Sequence, residues 1–152
     1  MADNGMVLED PDEPGEFPDW IELCNYGSEP VDLGGKYLTD DLNDPRKFRI
    51  PDGLFISAGG CVLFYADNAP ERGPLHTNFK LDGLGDSIGL FDSDRMGNQP
   101  IDWRTFGWQT VGVSERRYPA GGDIWIPCRT PTPGRLDVLA VYLPPMLKRT
   151  MN

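Results

Sequence analysis

A serine and a histidine come first among the residues that could do chemistry. Gly85, Asp86, Ser87, Ile88 and Gly89 match the G-x-S-x-G spacing that exposes a nucleophilic serine on a sharp strand-to-helix turn. Such a serine needs a base, and in that architecture an acid and then a histidine follow it in the chain. His76, the only histidine, precedes Ser87, and strand-like residues rather than a helix come after the serine. The motif therefore reads as part of a strand, with an esterase using Ser87 as the remote alternative. His76 stands between Leu75 and Thr77 with no second His or Cys beside it, and reads as a structural or solvated imidazole.

Two clusters of oxygen ligands follow. Residues 92–98 open like a calcium loop, with Asp92, Asp94 and a glycine, Gly97, in the sixth position. Met96 occupies the fifth position, where an oxygen belongs, and Trp103 stands where a bidentate glutamate belongs. A hairpin turn whose Asp and Asn side chains bind their own backbone is the preferred reading. Asp40, Asp41, Asn43 and Asp44 form the second cluster. Asp92, Asp94, Asn98, Asp40, Asp41 and Asp44 are thus the calcium candidates, should loops converge on a hard cation. Trp20, Trp103, Trp108 and Trp125 could stack on a sugar ring, although packing claims most aromatics in a β-sandwich. The chain has no P-loop and no G-x-G-x-x-G fingerprint.

The elements that must hold these residues are short strands. Residues 19–24 alternate with period two, Ile21 and Leu23 on one face, Trp20, Glu22 and Cys24 on the other. Further strands are expected at 36–39, 47–50, 79–81, 87–91, 99–103, 111–118 and 124–126. The run 61–66, apolar on both faces and rich in β-formers, reads as a central strand. Turn chemistry separates them, and 18 glycines with 15 prolines in 152 residues argue against long helices. The pattern is all-β, a sandwich or barrel without substantial helix. After Pro133 and Gly134, residues 135–152 form a tail with an apolar run at 136–143.

The net charge of -10 is concentrated at the start. Residues 1–22 hold Asp3, Glu9, Asp10, Asp12, Glu13, Glu16, Asp19 and Glu22 and no base, leaving 16 acids against 14 bases elsewhere. With no Lys/Arg stripe, the chain is a poor phosphate binder, so sequence-specific nucleic-acid recognition is not expected. Residues 1–16 read as a solvated acidic segment. They lack the basic and apolar regions of a signal peptide, and no apolar run is long enough for membrane insertion. Cys24, Cys61 and Cys128 cannot all pair within one chain, so at least one is a free thiol or joins another molecule. Cys24 and Cys61 lie in apolar runs and read as small buried hydrophobes.

Several stretches, in order, resemble the lamin-tail domain family in its bacterial form. They are residues 17–23, Asn25 with 27–33, 37–41, 48–60, 75–81, 85–92, 117–119 and 130–134. The resemblance spans residues 17–134 and implies an immunoglobulin-like β-sandwich with Greek-key-type connections. It implies no catalytic residues and no cofactor, but a protein-interaction or surface-tethering module for a protein partner or cell-surface component. An extracellular or cell-surface location is implied as well. The alternative function, resting on the oxygen clusters and aromatics rather than on the resemblance, is a calcium- or carbohydrate-binding accessory domain. Family members open with a strand ending in a pattern like Asn-Glu-Ile-Met-Ala-Asn. Here the chain begins inside that pattern, at Met1, so residues 1–16 are expected to be the remnant of a first strand. A bare sheet edge would then be open to dimerisation through edge strands. Cys24 also departs from the family, which carries an aromatic there.

Overall fold

The computed structural model describes residues 1–136. Ten strands among these residues are connected by turns: β1 (Asp19–Cys24), β2 (Val31–Asp32), β3 (Tyr37–Thr39), β4 (Phe48–Arg49), β5 (Phe55–Ile56), β6 (Cys61–Ala66), β7 (Gly85–Phe91), β8 (Pro100–Gly107), β9 (Ser114–Tyr118) and β10 (Ile124–Cys128). Helix among the described residues is limited to two single 3-10 turns, Pro70–Arg72 and Asp94–Met96. The sheets are β1–β6, β2–β5, β9–β10 and a four-stranded β4-β3-β7-β8. β1 pairs with β6 and β3 with β7, so the chain crosses between layers as an immunoglobulin-like β-sandwich requires.

The period-two reading of residues 19–24 explains the core. Ile21 faces Phe64 and Leu23 faces Val62 across the antiparallel ladder. Ile21 and Phe64 are buried on the inner face with Leu38, Ile50 and Ile56 from the other strands. Phe48 of β4 meets Phe64 edge to face at 6.3 Å, joining the two layers. β6 is flanked on both sides, as a central strand should be. β1 lies on one edge; on the other, Tyr65 N donates to Leu75 O and Thr77 N to Tyr65 O.

Several expected boundaries move. Phe79 and Leu81 are buried in the core, but residues 79–81 form no strand and pair only as an isolated bridge from Lys80 to Asp67, just past β6. The strand expected from residue 111 starts at Ser114, because Val113 N bonds Thr110 O and Gly112 takes φ +70° in a turn. β2 and β5, unforeseen, pair only with each other. The apolar run at 136–143 lies, from residue 137 onward, outside the described residues.

Two readings of the sequence are corrected. Cys24 and Cys61 are not separate buried hydrophobes but a disulfide, at opposed positions of β1 and β6; Cys128 is free and buried. Nor is the acidic segment simply solvated. Ala2, Asn4 and Asp10 are buried, and Met1 and Trp20 exchange backbone hydrogen bonds. Asn4 organises the segment: its side-chain amide donates to Leu8 O and Pro18 O while its carbonyl accepts from Leu8 N. Asp19 caps the entry by accepting from the backbone of Asp3 and Asn4.

Candidate functional site

Ser87 sits inside β7, opposite Thr105 of β8, and its hydroxyl is 2.9 Å from the Thr105 hydroxyl. The flanking glycines serve the sheet. A Cβ on Gly89 would meet the Phe91 ring at 2.7 Å and Leu42 at 2.9 Å. Gly85 takes φ +141°, with Phe106 O 3.1 Å from where a Cβ would be. The G-x-S-x-G spacing is therefore a strand pattern with two close-packed glycines, and no strand-to-helix elbow exists there.

His76 is elsewhere and fully engaged. Its ring is 2 % exposed and stacks on Tyr65 with centroids 5.1 Å apart. Nδ1 lies 2.8 Å from Asp67 Oδ2, and Nε2 lies 3.4 Å from Asp12 Oδ2. Burial opposes a charge on this ring, but the hydrogen bond and field of Asp67, with Asp12 and Asp10 behind, outweigh it and raise its pKa above the ordinary 6.5. Carboxylates face both ring nitrogens, so neither is presented to a hydroxyl nucleophile. Asp10, Asp67 and His76 gather ligand atoms within 4.8 Å of one another. The residues come from the acidic segment, the end of β6 and the following loop, too far apart in sequence for spacing to reveal.

Each of the calcium candidates is engaged by its own partners. Asp92 binds Lys36 Nζ at 2.7 Å, and this hydrogen bond lowers its pKa. Asp94 accepts from Arg46 Nε at 2.6 Å and from the Tyr37 hydroxyl, which lower its pKa likewise. Asn98 donates from its side chain to Asp92 O, closing the 92–98 turn. Asp40 pairs with Lys47 Nζ at 2.5 Å. Asp41 accepts from Asn43, and Asp44 N donates to Asp41 O. Backbone self-capping of this kind is what the turn reading describes.

The tryptophans divide by role. Trp20 is buried. The Arg104 and Arg117 guanidinium groups both lie over the Trp125 ring, 5.1 and 4.7 Å from its centroid. Arg104 also pairs with Glu115 and Arg117 with Asp102, tying the β9–β10 hairpin to β8. Trp103 and Trp108 are exposed.

Trp108 belongs to a patch assembled from three loops at one end of the sandwich. Gln109 N donates to Gly83 O at 2.7 Å and Gly112 N to Asp3 O at 3.0 Å, which brings residues 3–7, 83–84 and 108–112 together. These loops present Met6, Leu84, Trp108 and Val111, exposed by 82, 77, 69 and 61 %. Each reads singly as an unremarkable loop residue. Only the tertiary contacts bring these loops, with Asp3, Asp82 and Asp86 in or beside them, to one another.

No helix among the described residues is long and apolar enough to cross a membrane. No curated protein and no solved structure matches the chain. The model of the Lamin Tail Domain family matches residues 6–108. The match begins inside the acidic segment, earlier than the resemblance at residue 17, and ends before the 117–119 and 130–134 stretches. The family is one of non-enzymatic immunoglobulin-like domains. Covering well over half of the sequence, the match establishes that this chain belongs to the lamin tail domain family.

Proposed function

We propose that the chain is a non-catalytic protein-interaction module that works outside the cell or at its surface. The loop-end patch of Met6, Leu84, Trp108 and Val111 carries this reading. Soluble domains rarely expose large apolar side chains in a group unless a partner covers them, and tryptophan is enriched among the residues that dominate binding energy. Asp3, Asp82 and Asp86 in or beside these loops and the net charge of -10 suit a partner with apolar and basic groups. Engagement of Ser87 by Thr105 and of His76 by carboxylates supports the absence of catalysis. The Cys24–Cys61 disulfide favours an oxidising compartment.

Photo-crosslinking in the native host tests the reading. A photoreactive residue at position 108 is expected to give one dominant protein adduct. The same group at Phe55, exposed on β5, is the control and should give none. Equal adducts at both positions, or none at 108, would sink the proposal. A second copy of the chain as the adduct would instead identify self-association. A fluorophosphonate should leave Ser87 unlabelled in the folded protein; labelling there would restore the esterase.

A further inference from the structure

We propose that Asp10, Asp67 and His76 form a binding site for a zinc-type divalent cation. The donor atoms are one imidazole nitrogen, His76 Nδ1, and one oxygen from each carboxylate, all within 4.8 Å of one another. Imidazole with carboxylate oxygens is a donor set for zinc and its first-row neighbours, whereas calcium takes six to eight oxygens.

Two further observations single this cluster out from an ordinary acidic patch. The first is an orphaned buried oxygen. Asp10 has no side-chain exposure, and among the described residues its Oδ2 accepts no hydrogen bond. Its nearest cationic atoms are Arg72 Nη1 at 3.6 Å and His76 Nδ1 at 4.0 Å. Its other oxygen is already used by Asp12 N. A buried carboxylate oxygen without a hydrogen bond is costly, and it lies near the same space as Asp67 Oδ2 and Nδ1. The second is the far side of the ring. His76 Nε2 faces Asp12 Oδ2 at 3.4 Å, so a ring that keeps its Nε2 proton and gives up the Nδ1 proton now directed at Asp67 would turn an Nδ1 lone pair toward a metal. Metal-binding histidines are commonly oriented by such a carboxylate on the other nitrogen.

Binding requires small movements. Zinc–ligand distances of about 2.0–2.2 Å in a tetrahedral site separate ligand atoms by roughly 3.3–3.6 Å. Asp67 Oδ2 and Nδ1, now 2.8 Å apart, would open slightly, and Asp10 would close from 4.0 Å. Arg72, 3.4 Å from Asp67 and partly exposed on its 3-10 turn, holds the position a cation would neutralise. It competes with the metal. Water completes the coordination.

The test uses the full chain, treated with a chelator and titrated with zinc chloride. His76 is the only histidine, so its ring resonances report ligation without ambiguity. Zinc should displace them at one equivalent and raise Tm by about 5 °C at a hundredfold excess over Kd. Asp10→Asn should weaken zinc binding at least about tenfold. Arg72→Gln should strengthen it, which a merely structural ion-pair cluster would not do. Cys128→Ser should leave it unchanged, excluding the free thiol. Ring resonances unmoved at saturating zinc, or an Asp10→Asn protein that binds as wild type does, would overturn the proposal. The ring signals of the unaltered chain decide the matter even if Asp10→Asn fails to fold.

Discussion

Cys24 and Cys61 stand directly opposite each other in the β1–β6 ladder, and a disulfide joins them on the face turned away from the core. The bridge closes a loop between residues 37 apart and so removes conformational freedom from the unfolded chain. The Cys24→Ser, Cys61→Ser double variant should lose about 2–4 kcal/mol of stability in urea titrations. Thiol counting of the native chain under denaturing conditions should find only Cys128. An unchanged midpoint on reduction would show that the bridge does not stabilise the fold.

Gly89 lies where β7 passes under Phe91 and Leu42. A Cβ there would stand 2.7 Å from the Phe91 ring and 2.9 Å from Leu42. Gly89→Ala should destabilise the domain by about 1–3 kcal/mol, since the neighbours must leave well-packed rotamers. Ser87→Ala, two residues away with a half-exposed hydroxyl pair, should cost under about 1 kcal/mol. Thermal unfolding of both variants checks the ranking; equal losses would refute the packing role of the glycine.

Asp92 and Lys36 form a partly buried ion pair, and Lys36 holds the Asp92 carboxyl below its ordinary 3.8. A carboxyl with a depressed folded pKa contributes stability that is present above its unfolded pKa. That contribution is lost as pH falls through the folded value. Asp92→Asn should therefore be less stable than the parent by about 1 kcal/mol at neutral pH, and the gap should close as pH falls through the lowered pKa of Asp92. Paired denaturation curves across pH 2–7 test it. A gap that persists in acid would mean the asparagine loses packing, not charge.

What could be read in the sequence was local. The alternation at 19–24 and the doubly apolar run at 61–66 locate β1 and β6 because those residues face a core on a pleated strand. β2 and β5 escaped because each is two residues long and exists through pairing with the other. The disulfide was hidden because ladder register, not spacing, brings Cys24 to Cys61. The same holds for Asp10 with His76 and for Met6 with Leu84 and Trp108: each group is gathered from loops far apart in the chain. The wrong chain order of Ser87 and His76, by contrast, was visible at once, and the structure keeps them in separate hydrogen-bond networks.

The most direct test of the interaction role is the affinity of the partner captured at position 108, measured by calorimetry for the wild-type chain and for Trp108→Ser. Trp108 is exposed in the free domain, so its loss should leave Tm nearly unchanged. The account predicts a Kd weaker by roughly thirtyfold, the cost of about 2 kcal/mol for an interface tryptophan. An unchanged Kd with a folded variant would contradict it.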